Sequence, residues 1–371
     1  MTDVAVNLLW CVPGEVGGSE QYLVRQLLGL AAQPGRFNPK LFSLASFVDA
    51  HPELAALYPV VAADVSGASR PRRILAEHTW LRRQTAEADI VHHGGGTTPL
   101  VGRRPIVLTI HDLQYLTHPE YLTPNKRRYL ERAIPHSVRR ATVVAVPTDY
   151  VRGTVINAYG TDADRVVVVP HGVEPSLGVN APSEAELRAT YGLGDGRFVV
   201  YPAITHPHKN HRFLLALMAQ YWTDPELRLV LPGGKGAADA DVAADIARLG
   251  LERRVIRPGR VSDADRDGLV AHADALVFPS EYEGFGAPAA EAMALGAPVI
   301  CSDQPALADV VADAGLVLPL ELEAWAGALD VVATQSQQMR AAGRRRAEAF
   351  TTERSGAALA TAYDLAIQVA R

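Results

Sequence analysis

The chain has 371 residues, a length that favours two domains over one. With 48% hydrophobic and 21% charged residues it can bury a sizeable core; its two cysteines exclude a disulfide framework, and a net charge of −5 argues against a nucleic-acid binder held by bulk electrostatics. No run reaches the roughly 18 apolar residues of a membrane span, and the opening residues, with Asp3 ahead of a Pro-Gly turn, read as a first strand rather than an export signal, so the expected location is cytoplasmic.

Short, nearly continuous apolar runs at residues 4–9, 106–110, 142–146 and 166–169 are how strands buried on both faces of a parallel sheet read. Between them come helical patterns, such as Tyr22, Leu23, Leu27 and Leu30 after Gly17-Gly18. Residues 171–181 follow neither period and are expected to be a linker. Strand and helix then alternate again: strands at 198–201, 227–231, 254–256, 275–278 and 298–301, with helices at 210–221, 239–249, 263–272 and 287–295. The tail from 320 is helical, with a restart at Thr351-Thr352 under a Thr cap. The fold expected is therefore α/β, with two doubly wound domains in series.

Charge divides unevenly, +2 over residues 1–175 and −7 over residues 176–371. The basic residues of the first half cluster as Arg72-Arg73, Arg82-Arg83, Arg103-Arg104, Lys126-Arg127-Arg128 and Arg139-Arg140. They fit solvated helix faces first; the sharper reading is a weak attraction of this half to anionic lipid headgroups.

Ligands of such sheets bind beyond the carboxyl ends of the strands, so chemistry is sought in the loops that follow them. The most informative is FPSEYEGFGAPAAEAMALGAPVICSD, residues 278–303. A helix starting near Ala287-Pro288 offers unpaired N–H groups and a dipole that favours an anion. Glu283 and Glu291, eight positions apart, are carboxylates able to accept hydrogen bonds from sugar hydroxyls.

This segment resembles the EX7E signature of the retaining glycosyltransferases of family 4, through Glu283-Gly284-Phe285-Gly286, the EAM at 291–293 and the GAPVI at 296–300. The resemblance implies the GT-B fold, two Rossmann-like domains facing a central cleft. It also implies that Glu291 contacts the donor ribose, while Glu283 and the backbone of Gly284, Phe285 and Gly286 hold the donor sugar. In THPHKNH, residues 205–211, Lys209 matches the family's diphosphate lysine. The arginine usual five positions earlier is Ile204 here, and Thr205, His206 and the nearby backbone are candidates to replace it. Gly233-Gly234-Lys235 is similar to the family's glycine-rich turn beside the donor. Val261, in Gly259-Arg260-Val261, falls where the base is held by backbone groups.

In the first half, Gly17 and Gly18 of PGEVGGSE stand where the family's loop touches the donor phosphates. The stretch is not a G-x-G-x-x-G fingerprint, and no acid follows at a second strand end, which counts against a nicotinamide dehydrogenase. His111-Asp112 ends a strand and resembles the family's HD motif; His111 is expected to serve the sugar or the developing charge, and Asp112 to support its loop.

The residues 263–274 mimic a calcium loop, and Asp162, Asp164, Asp239 and Asp241 form D-x-D strings. Each lies at a predicted helix start, where acids suit the dipole, and the resemblance implies that no metal is needed. The resemblance implies a first domain at 1–175 on the acceptor side, a donor domain at 176–351 and a last helix, about 352–371, packed back on the first. It further implies a retaining transferase that moves a hexose, with His111, Lys209 and Glu283 in catalysis. GDP-mannose is the favoured donor, ahead of dTDP- and UDP-sugars, and no cofactor is expected beyond it. The acceptor is a glycan, a lipid-linked sugar or a small molecule; a lipid-linked one would bring peripheral contact with the inner membrane face. Alternatives are an epimerase-like GT-B enzyme and a non-catalytic sugar-nucleotide-binding protein.

Overall fold

The computed structural model describes every residue except Pro34, Arg103 and Arg104, so the basic pair at 103–104 lies outside the described residues. Contacts divide the chain into two units, Met1–Gly172 with Thr351–Arg371, and Val173–Phe350.

The first unit is built on a sheet of seven strands: β1 (Thr2–Asn7), β2 (Phe37–Leu44), β3 (Val60–Ala63), β4 (Ile90–His93), β5 (Ile106–Thr109), β6 (Val143–Val146) and β7 (Val166–Val168). Their order is β3-β2-β1-β4-β5-β6-β7, with every pairing parallel. Successive side chains of β1 point to opposite faces, so Val4 and Val6 enter one core and Ala5 another. The helices Gly18–Ala31 and Thr352–Ala370 cover the first of these faces. They cross backbone on backbone: a Cβ on Gly29 would stand 1.8 Å from the Thr352 carbonyl oxygen, and one on Gly356 2.0 Å from the Gly29 carbonyl carbon. Thr351 caps the last helix by accepting from the Arg354 N–H at 3.2 Å. Its Tyr363 reaches the buried His92 at 2.9 Å, whose other ring nitrogen meets Thr109 Oγ1 at 2.8 Å.

Strands β2, β3 and β4 have no counterpart in the sequence reading. Pro39 sits inside β2 and argues against an interior strand, and β4 ends in two histidines, both buried.

The second unit carries a six-stranded parallel sheet: β8 (Phe198–Val200), β9 (Arg228–Pro232), β10 (Val255–Gly259), β11 (Ala275–Phe278), β12 (Val299–Ser302) and β13 (Leu316–Leu318). The order β10-β9-β8-β11-β12-β13 repeats the plan of the first sheet, reversing direction between β8 and β11. Its helices Asp263–His272 and Ala287–Leu295 have the bounds read from the sequence. The stretch expected to be a linker is anchored here from Val173 onward. The Val173 N–H donates to the Phe350 carbonyl at 2.6 Å and the Gly178 N–H to Asp267 Oδ2 at 3.0 Å. Among the described residues no helix is long and apolar enough to cross a membrane.

Candidate active site

Where a doubly wound sheet reverses its strand order, the loops leaving the two central strands part and open a crevice at their carboxyl ends. In the second unit those loops follow β8 and β11, and they carry Lys209 and Glu283. Lys209 Nζ donates to Glu283 Oε1 at 2.5 Å, with side chains 20% and 11% exposed. The ammonium also stands 5.7 Å from the centroid of the buried Phe278 ring.

The pair is held from behind. Tyr201, fully buried at the end of β8, donates its hydroxyl proton to the Lys209 carbonyl at 3.0 Å, so the Ser280 hydroxyl, 2.9 Å away, donates to Tyr201. Burial, and then the charge of Glu283, raises the Tyr201 phenol well above its ordinary range, so it remains a donor. Ser302 Oγ donates to the Ser280 carbonyl at 2.6 Å, Gln304 Nε2 to the Glu283 carbonyl at 3.3 Å, and the Glu281 N–H to the His208 carbonyl at 2.8 Å. The turn Pro207–Lys209 ends at Asn210 with φ 53°, a left-handed conformation that asparagine tolerates.

Gly286 caps the helix Ala287–Leu295 with φ 89°, and a Cβ there would stand 2.3 Å from Leu307 Cδ2; Pro288 occupies the first turn. Glu291 follows in the second turn, half-buried. The Phe285 ring is turned inward, edge-on to Phe350 at 5.4 Å and 3% exposed, so only its backbone faces a ligand.

A cavity of about 290 Å³ brings together Ile204, Gly233, Gly234 and Val261. Gly233 is held so close that a Cβ would lie 2.1 Å from the Ala203 carbonyl oxygen. The same cavity is lined by Arg260, which is exposed, and by Arg266, two cations that the sequence reading did not single out. Arg266 is gripped by Asp263 at 2.6 Å and Asp267 at 2.7 Å. Burial alone would lower its guanidinium, and the carboxylates of Glu291, Asp267 and Asp263 outweigh that and raise it. Helix periodicity places Arg266 but cannot show which cavity it lines.

Thr205 is turned away from this duty. Its hydroxyl donates to Asp239 Oδ1 at 3.3 Å and accepts from the Gly236 N–H at 2.7 Å, which ties the two loops together. Its 5% exposure leaves it a structural clamp. His206 is exposed and stacks on His208 at 5.7 Å.

In the first unit, Gly17 and Gly18 stand at the start of the helix Gly18–Ala31, and an added Cβ at either would meet nothing within 4 Å. His111 is half-buried between Trp10 and Tyr22, at 5.5 Å and 5.3 Å. Its Nε2 lies 2.8 Å from the Gly94 carbonyl, which only accepts; the proton is therefore on Nε2 and already committed, and burial lowers the ring's pKa. His111 thus presents Nδ1 as an acceptor. Asp112 Oδ1 accepts from the Gln114 N–H at 2.9 Å and supports the loop. Among the D-x-D strings, Asp162 caps the turn Ala163–Arg165 and Asp239 opens the helix Asp239–Arg248; Ser262 caps the helix that follows it in the calcium-like stretch. No three metal-ligating side chains gather among the described residues.

Comparison with known proteins identifies the family and the fold. Residues 183–348 match the family described as glycosyl transferases group 1, and residues 16–177 match Glycosyltransferase Family 4. The O-antigen chain mannosyltransferase B of Escherichia coli is 33% identical over 301 residues, covering 75% of this chain and 76% of that one. A D-inositol 3-phosphate glycosyltransferase of Mycobacterium bovis is 29% identical over 397 residues, covering 95% of this chain and 80% of that one. Among solved structures, Anabaena Alr3699/HepE in complex with UDP and glucose superposes with a TM-score of 0.76 at 19% identity, covering 98% of this chain and 100% of that one. That likeness establishes the fold: two Rossmann-like units of GT-B type, as the sequence implied.

Proposed function

This chain belongs to the glycosyl transferases of group 1, and from that premise we propose that it transfers a hexose, mannose from GDP-mannose, with retention of anomeric configuration. The acceptor in this reading is a glycan, a lipid-linked sugar or a small molecule. The observation that carries the proposal is the Lys209–Glu283 pair at the strand-order reversal of the second sheet.

In the proposed reaction the bond between the anomeric carbon and the diphosphate oxygen breaks as the acceptor hydroxyl bonds to that carbon. The hydroxyl's proton goes to the departing phosphate, and the products are a glycoside and a nucleoside diphosphate. Negative charge grows on the leaving group, and Lys209 and the N–H groups at the start of the helix Ala287–Leu295 are aimed where it grows. Glu283 tethers the Lys209 ammonium before the donor arrives, and its carboxylate is then released to accept from a sugar hydroxyl. Glu291 takes the ribose. The guanidinium of Arg260, exposed in the cavity beside Ile204, supplies the second positive charge that the family draws from an arginine at position 204. The reaction so written calls on no cofactor beyond the sugar nucleotide. The mannosyl donor is supported by the Escherichia coli relative.

The test is a panel of GDP-, UDP- and dTDP-sugars scored by thermal stabilisation of the protein, followed by NMR of the product's anomeric proton. A ligand at one hundred times its dissociation constant adds about 2.7 kcal/mol of stability. GDP-mannose is expected to stabilise most and to give the axial product; no response to any sugar nucleotide would overturn the proposal.

A further inference from the structure

A parallel crossover ordinarily carries a helix that covers one face of the sheet. The connection between the neighbouring strands β4 and β5, residues 94–105, has no helix among its described residues. The consequence is visible in the packing. On the face covered by the helices Gly18–Ala31 and Thr352–Ala370, one apolar cluster runs from Val4 of β1 through Ile90 and Val107 to Val143. On the opposite face the core is split: Ala5, Leu81 and Val91 belong to one cluster, and Ile106, Leu108 and Val144 to another. At the split lies a cavity of about 540 Å³, walled by Leu81, Val91, Val101 and Ile106.

Its other lining is cationic. Arg82 is exposed beside it, and Arg140 lines it while donating from Nη2 to the Gly102 carbonyl at 2.8 Å; the Arg140 Nε is buried with no partner among the described residues. On the connection that forms one wall, Leu100 and Val101 are 61% and 51% exposed, and on the helix Arg70–Ala76 Leu75 is 62% exposed. That helix continues into residues carrying Arg82 and Arg83, and Arg70 lies 4.9 Å over the Tyr129 ring of the basic helix Pro124–Arg140. Of the acids near these arginines, Glu77 is 6% exposed and burial pushes its carboxyl up to about 7, while Glu131 pairs with Arg127 at 2.7 Å and Glu87 is exposed beyond Arg82-Arg83.

We propose that this face of the first unit docks on an anionic bilayer, with one acyl chain entering the cavity, its phosphate on Arg82 and Arg140, and Leu100 and Val101 inserted at the headgroup level. An apolar cavity beside a connection without a helix, the exposed Leu100 and Val101 on that connection, and the lining Arg82 and Arg140 match an amphiphile of opposite charge. This deepens the lipid-side part of the proposed function by naming the surface, and it does not depend on the donor reading.

The test is flotation of the full chain with vesicles of phosphatidylglycerol and phosphatidylcholine against phosphatidylcholine alone, at low and high salt. Wild type is expected to float only with the anionic vesicles, and less at high salt. Arg82→Glu reverses one charge at the surface and is expected to weaken binding about 30-fold. Leu100→Glu, and Ala86→Trp placed in the cavity wall, are expected to weaken it about tenfold or more. All three positions are exposed, so the variants should fold. Stabilisation by a sugar nucleotide is measured on each as a separate readout of the second unit. No binding to anionic vesicles overturns the proposal, and so does binding that Arg82→Glu abolishes while Leu100→Glu and Ala86→Trp leave it unchanged, because that is adsorption by charge alone. Either result leaves the donor reading standing if the nucleotide still stabilises.

Discussion

The two units share a strand order and differ in how they are filled. The second has one continuous apolar cluster, from Leu187 to Phe350, under a site whose cation and carboxylate are braced by Tyr201, Ser280 and Gln304. The first has three clusters and several buried neutral histidines. One fold plan thus carries a single core in one unit and a divided core in the other. The bracing stands where a charge must be held at a fixed place, since a misplaced cation stabilises a leaving group poorly.

The sharpest way to break this comparison is at Lys209. Lys209→Met removes the ammonium while keeping much of its length, and turnover is expected to fall about 1000-fold, or about 4 kcal/mol of transition-state stabilisation. A steady-state assay of transfer checks it. A fall of less than tenfold would show that the second unit's bracing serves stability instead.

Next comes the helix crossing of the first unit. Gly356→Val forces atoms into the backbone of Gly29, and overpacking of this kind costs about 3 kcal/mol. Calorimetry should show the loss in the transition of the first unit, while the second unit keeps its response to a sugar nucleotide. If both fell together, the units would not be independent in stability.

Acid tests the histidines. Burial lowers His92 and His93 to about 3, and pushes His111 and His171 downward as well; the second unit has His211, lowered to about 4. The unfolded chain takes up these protons near pH 6.5, and the folded chain holds off His92 and His93 until about pH 3. The histidines' contribution is therefore complete above about pH 6.5 and falls as the pH drops through that window, by about 1.4 kcal/mol per histidine at pH 5.5, while the raised Glu77 of the first unit works in the opposite direction as the pH drops below about 7. Urea midpoints at pH 7.5 and 5.5 should fall more for the first unit than for the second; equal shifts would refute the contrast.

The same difference explains what could be read from residues alone. The second unit was legible, apart from β13, because its strands are short apolar runs and its site residues sit a few positions beyond them, as Lys209 and Glu283 do. The helix Ala287–Leu295 announces itself by Gly286, Pro288 and Gly296. In the first unit β2 hid behind Pro39, and β4 behind His92 and His93, whose polarity is satisfied by Tyr363, Thr109 and Asn7, far away in the chain. Partnerships over such separations leave no local pattern. For that reason the hydrogen bonds that tie Thr205 to Asp239 and Gly236 could not be read from the sequence, and Arg260 was not singled out.

The smallest effect is expected at Arg260, and it decides how the site manages without an arginine at 204. If Arg260 supplies the second cation, Arg260→Gln should weaken a nucleoside diphosphate about tenfold and a nucleoside monophosphate much less, as calorimetric titration would show. Ile204→Arg alone should gain little, because the new guanidinium would share the cavity with Arg260 and Arg266 and meet their repulsion. In the Arg260→Gln background the same substitution should restore most of the loss. This non-additivity separates a residue that meets the phosphate from one that merely lines the wall. Additive effects, or an affinity for the monophosphate that falls as far as that for the diphosphate, would place Arg260 on the base, and the second charge would then have to come from the helix N–H groups beside Gly286.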